Sequence, residues 1–159
     1  MITRRRLVEL AGWTVSVAAV GSTPLEAEEK TAASDRDQIA AATQSFIAAY
    51  NAGDLQGVMA HYTDDLVKCR QGGSTENKKD VGARMFLVFR DYAGDLYVTT
   101  DEIEVHGDVA FTRGNFRAVL TPKAGGKEQI IERRFLEVLR REDNRWLVAR
   151  TMDNAGGKK

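Results

Sequence analysis

The side chains able to do acid–base or nucleophilic chemistry in this sequence are sparse: two histidines, one cysteine, and scattered tyrosines and acids. His61 stands directly before Tyr62. An imidazole titrates near neutral pH and readily moves a proton, but a lone histidine with no acid at a fixed spacing reads as an edge residue. His106 adjoins Gly107-Asp108 and reads as surface. Cys69 has no partner for an internal disulfide and reads as a small buried hydrophobe. Thr63-Asp64-Asp65 reads as a turn. No His, Cys, Asp or Glu cluster has metal-ligand spacing, and there is no glycine-rich phosphate loop or nucleophile elbow. The sequence therefore calls for no metal and no nucleotide cofactor, and it names no catalytic base.

Binding chemistry is better represented. Tyr50 and Tyr62 carry hydroxyls that need partners when buried, and they are the best neutral donors available. Arg113 and Arg117 share one strand face by period two, with Val109, Phe111, Asn115 and Val119. The same alternation places Arg150 with Trp146, Val148 and Met152. An arginine on an apolar face needs an edge position or an anion. A cross-strand glutamate is the plain partner; a ligand carboxylate in a pocket is the sharper one. The expected ligand-binding set is Tyr50, Tyr62, Arg70, Trp146 and Arg150.

The elements that must position these residues follow from periodicity. From Asp35, Ile39, Ala42, Thr43, Phe46, Ile47 and Tyr50 form one helical stripe, with Ser34 or Asp35 as cap and Gly53 as stop. Asp54 can cap a short second helix carrying Leu55, Val58, Met59 and Tyr62. A short strand covers 66–70. Asn77 with Asp80 predicts a capping box for a third helix, stopped at Gly94. Strands then follow at 96–105, 109–120, 130–140 and 146–152, with turns at Gly107-Asp108, 122–126 and Asp143-Asn144. Helices first and an antiparallel meander after them predict an α+β domain.

The amino terminus reads as an address. Thr3-Arg4-Arg5-Arg6-Leu7-Val8 precedes a weakly apolar stretch, residues 10–20. That stretch is well short of the roughly 18 residues a spanning helix needs. The layout is that of a secretory signal, and the basic run resembles the twin-arginine motif, with Glu9 where a lysine is usual. The expectation is a signal peptide at 1–27, a flexible leader at 28–34 and one domain at 35–155. Export to the periplasm follows, with no stable membrane anchor after processing. Lys plus Arg equals Asp plus Glu at 23 each, which argues against a nucleic-acid partner bound through bulk positive charge. Apolar content of 43% and charged content of 29% are those of a folded domain, not a disordered chain.

Three stretches resemble the nuclear transport factor 2-like superfamily, on its SnoaL-like and ketosteroid isomerase-like side. They are Phe46-Ile-Ala-Ala-Tyr50-Asn-Ala-Gly53-Asp54-Leu55 through Tyr62-Thr-Asp64-Asp65, Gly107-Asp108-Val-Ala110-Phe111-Thr-Arg113-Gly114, and Leu136-Glu-Val138 through Trp146-Leu-Val148-Ala-Arg150. The resemblance implies a cone: a curled antiparallel sheet wrapped around three N-terminal helices, with a pocket at its open end. It also implies a homodimer through the sheet, as do long strands apolar on both faces. It does not imply isomerase chemistry. The isomerase's oxyanion tyrosine falls on Phe46 and its general base on Arg70; its second oxyanion acid falls near Arg133 or Arg134. The expected function is a pocket for a small hydrophobic or acidic molecule. The rival is a non-catalytic homodimeric interaction module.

Overall fold

The computed structural model describes residues 24–155. Its elements are α1 (Pro24–Asn51), α2 (Leu55–Met59), β1 (Tyr62–Arg70), α3 (Lys78–Asp91), β2 (Tyr92–His106), β3 (Val109–Pro122), β4 (Gln129–Glu142) and β5 (Arg145–Ala155). The expected signal peptide lies outside the described residues up to residue 23, and residues 24–27 begin α1. Residues 28–34, expected as a flexible leader, are helical too, so the first helix starts eleven residues before Asp35. Among the described residues no helix is long and apolar enough to cross a membrane.

The helix signals act locally as their chemistry dictates. α1 ends where Gly53 takes a left-handed φ of 67°, and Gly53 N–H donates to the Tyr50 carbonyl at 3.0 Å. The Asp54 carboxylate accepts from Gly57 N–H at 2.9 Å and caps α2. Asn77 and Asp80 form the reciprocal capping box of α3. Asp35 is different. It lies inside α1, is buried, and forms an ion pair with Arg141 of β4 rather than capping a start. Gly94 is not the stop of α3, which ends at Asp91 and runs straight into β2. A Cβ on Gly94 would come within 2.9 Å of the Tyr50 ring, so this glycine makes room for that ring.

The strands form one sheet in the order β1-β5-β4-β3-β2. The last four are an antiparallel meander. β1 pairs parallel to β5, so the expected antiparallel sheet is mixed. Residues 63–65, expected as a turn, belong to β1. Asp143 and Asn144 at φ 49° and 59° make the two-residue turn between β4 and β5. Register shifts at Thr100/Glu102 and at Val138/Leu139 bend the long strands, and bulges of this kind increase twist and curl. The curled, unclosed sheet wraps around the helices as a cone. Its concave face packs Leu96, Ala118 and Leu120 against Tyr50, Val58, Val81 and Met85. A second cluster of Ile39, Ala110, Leu139 and Trp146 closes the narrow end.

Candidate ligand pocket

Strand register builds the site one row at a time. Thr112 on β3 pairs with Glu137 on β4, Glu137 with Thr151 on β5, and Thr151 with Lys68 on β1. All four line one cavity of about 240 Å³ on the concave face. One row deeper into the meander, Gly114 pairs with Phe135, Phe135 with Asp153, and Asp153 with Arg70. On the other side, Ala110, Leu139, Val148 and Tyr62 make the adjoining apolar row. A polar band therefore crosses four strands inside a pocket whose remaining wall is largely apolar.

Glu137 is the central group of that band. Thr151 Oγ1 donates to it at 3.3 Å and Thr112 Oγ1 at 3.4 Å. Burial pushes its carboxyl above the ordinary range, opposed by Lys68 and the two hydroxyls and assisted by the Asp153 charge. Asp153, 6% exposed, is held by Lys68 Nζ at 3.0 Å, with Arg133 Nε at 3.8 Å. The two carboxyls thus sit in different environments: one ion-paired, the other shielded and biased toward its protonated, donating form.

The helices supply the roof. Phe46 of α1 lies edge-on to both His61 and Tyr62, at centroid distances of 5.6 and 6.1 Å. Tyr50 packs edge-on to Phe89 of α3 at 5.2 Å. Neither tyrosine hydroxyl has a hydrogen-bond partner among the described residues. Burial raises both phenol pKa values, and for Tyr62 the Glu137 charge adds to the effect. His61, expected as an edge residue, lines the cavity instead. Burial lowers its pKa, and Arg145 lowers it further. Both effects favour its neutral form.

Four of the five expected binding residues meet here: Tyr50, Tyr62, Arg70 and Trp146. Arg150 does not. The shift at Val138/Leu139 leaves Ala149 as an extra residue in β5, which inverts the alternation after Val148. Thr151 and Asp153 therefore face inward, while Arg150 turns to the outer face and donates to the Asp65 backbone carbonyl at 3.0 Å. Its charge faces the Asp65 carboxylate at 3.5 Å. Asp65 itself is held down to about 2 by the Thr63 hydroxyl first and then by Arg140. Arg113 and Arg117 likewise lie outside, paired with Glu102 and Glu132. A cross-strand glutamate is the partner of Arg113 and Arg117, and Asp65 takes that place for Arg150. Among the described residues no His, Cys, Asp and Glu group could hold a metal ion. Cys69 is half-buried, with its sulfur 4.0 Å from the Thr75 hydroxyl.

Sequence reasoning missed Glu137, Asp153 and Lys68, and named Arg133 only as a position near which the isomerase's second oxyanion acid falls. The signal for Glu137 was present: it sits at period two between Phe135 and Leu139, on a face that must be buried. Asp153 and Lys68 were hidden by the bulge and by the unexpected β1 pairing.

Comparison with known proteins accords with this architecture. The chain's structure is similar to that of a conserved protein from Planctomyces limnophilus, with a TM-score of 0.73 at 21% identity, covering 77% of this chain and 98% of that one. It is also similar to a ketosteroid isomerase-like protein from Erwinia carotovora atroseptica (TM-score 0.65, 26% identity, 77% and 96% covered). A third is a nuclear transport factor 2-like superfamily protein from Salmonella enterica (TM-score 0.68, 11% identity, 80% and 94% covered). No curated protein matches the chain in sequence. The model of the SnoaL-like domain matches residues 43–149, from the last part of α1 to the first half of β5, and the chain belongs to the SnoaL-like domain family within the nuclear transport factor 2-like fold.

Proposed function

We propose that this is an exported pocket protein that binds a compact hydrophobic or weakly acidic small molecule, with an apolar body under Phe46 and Tyr50 and a polar end at Glu137. The observation that carries this reading is the Thr112–Glu137–Thr151–Lys68 row inside a formed cavity. Small-molecule sites combine apolar walls with a few placed polar groups, and their usual volumes begin near ~300 Å³. A cavity of about 240 Å³ suits one or two rings. The unpartnered phenol groups of Tyr50 and Tyr62 are further donors for such a ligand. If the bound molecule reacts, Glu137, whose pKa burial raises, is the carboxyl placed to exchange a proton with it. Export rests on the arginine-rich start, and homodimerisation on the apolar outer face of the sheet. The rival reading, a dimeric interaction module with no ligand, expects the cone to be filled by its own aromatics, which an open cavity does not favour.

The test is a thermal-shift screen of the purified protein against small aromatic and alicyclic compounds. A true ligand at about 100 times its Kd adds ~2.7 kcal/mol of stability. Its shift should fall in Glu137→Gln and in Tyr62→Phe. Shifts that are equal in these variants and in the native protein place the ligand elsewhere.

A further inference from the structure

The cavity carries more positive than negative charge, and the excess is concentrated on one wall. Lys68, Arg70, Arg84 and Arg133 all line it. Their acidic partners are Asp153 and Glu76. Glu76 takes Arg84 by a bidentate pair at 3.0 Å through Nε and Nη2, and Arg70 only at 3.4 Å. Asp153 takes Lys68 closely and Arg133 only at 3.8 Å. Arg84 and Lys68 are therefore committed to their partners, while Arg70 and Arg133 are held loosely. Arg133 Nη1 donates to the Glu132 carbonyl at 3.1 Å. Arg70 Nε and Nη2 and Arg133 Nη2 carry no hydrogen bond to the described residues.

Both arginines line the cavity near the same strand position. Arg70 stands in backbone register with Asp153 across β1 and β5, and the Arg133 guanidinium approaches that acid from β4. Their side chains keep partial solvent access, at 41% and 35%. They thus stand on the charged wall but outside the Glu137 band. A guanidinium presents a planar fork that matches a carboxylate, and two with spare donors beside an apolar cavity form an anion-selective feature.

Resting on the pocket reading above, we infer that the ligand is an acid: a ring compound whose carboxylate is gripped by Arg70 and Arg133 while its body occupies the apolar cavity and its inner end meets Glu137. The excess of cations on the wall makes the site favour an anion over a neutral molecule of the same shape. A second acid in the pocket does not oppose this, because Asp153 is already neutralised by Lys68.

The experiment uses two probes of matched shape, 1-naphthoate and 1-naphthamide, titrated calorimetrically into the full-length protein at neutral pH and low salt. The expected result is that naphthoate binds about ten-fold tighter or more. The preference should shrink as salt is added. The double variant Arg70→Gln, Arg133→Gln should bind both probes within about two-fold of each other, chiefly through loss of naphthoate affinity. Naphthamide binding as tightly as naphthoate to the native protein overturns the acid preference and leaves the pocket reading in place. A preference that survives in the double variant removes these two arginines as its source and overturns the inference. If neither probe binds at millimolar concentration, the pocket reading and the inference fall together.

Discussion

Glu137 on β4 lies directly across from Thr151 on β5, and the threonine hydroxyl donates to the carboxyl at 3.3 Å inside the cavity. The ladder fixes the backbone of this pair and directs the Glu137 side chain into the cavity. Its desolvation follows from that direction.

The first prediction concerns pH. Burial raises the Glu137 pKa above the ordinary 4.5 in the folded state. Between the unfolded and folded pKa values the folded protein binds more protons than the unfolded one, so stability falls as pH rises through that window. Glu137→Gln keeps the shape and removes the ionisation. The variant is expected to match native stability below about pH 4.5 and to exceed it at neutral pH. Urea denaturation across pH measures the difference; a difference that stays flat with pH contradicts the assignment.

Gly114 gives the second. A Cβ there would sit 2.1 Å from the Thr99 carbonyl oxygen and 2.9 Å from the Phe135 ring. The first obstacle is backbone and cannot rotate away. Gly114→Ala should lose about 1–3 kcal/mol from overpacking, at the upper end because strand β2 itself must move. An unfolding midpoint equal to the native one would mean that the β2–β3 spacing is looser than the register shows.

Much of this was legible in the residues, and the failures have physical causes. The capping box at Asn77 and Asp80, the Asp54 cap and the Asp143-Asn144 turn are local devices, set by side chains within three residues of each other. Period two assigned Arg113 and Arg117 to one face correctly because β3 is regular over that span. It failed at Arg150 because nothing in Leu-Val-Ala-Arg marks a bulge, which arises from pairing with β4. Thr63-Asp64-Asp65 has turn composition, yet it lies in β1 at a register shift between Tyr62 and Val67, where Lys78 binds Asp64 and Arg140 and Arg150 bind Asp65. Asp35 has the chemistry of a cap, and its burial against Arg141 is a long-range event that local composition does not encode.

Export supplies the third prediction. Fusion of residues 1–34 to a reporter that works only outside the cytoplasm should give signal, and Arg4→Lys with Arg5→Lys should abolish it. Retained signal in the double variant assigns export to a different route. A silent parent fusion removes the export proposal altogether.

The fourth concerns assembly. Leu136 on β4 has Arg113 on one side and Met152 on the other, and in the next row Phe111 pairs with Val138. Phe111, Leu136 and Met152 are 41%, 50% and 54% exposed, so the convex face presents an apolar patch at its centre. The three helices occupy the concave face and cannot cover it, and a patch of this kind on a sheet calls for a partner surface. A second copy of the same face is the proposed cover. Its rim carries both signs, with Arg113 against Glu102 and Arg117 against Glu132, so two copies can meet without a net repulsion. Light scattering should give twice the 17.6 kDa chain mass, allowing for any processing. Leu136→Glu puts a charge at the centre of the patch and should weaken association by about 100-fold or more, because an unpaired buried charge opposes it. The cavity lies on the other side of the sheet, so the same variant should keep its affinity for a pocket ligand. A native protein that scatters as a monomer at micromolar concentration refutes the dimer. A variant that dissociates and also loses the ligand would show instead that pocket and interface are coupled through β4, whose alternate residues face both.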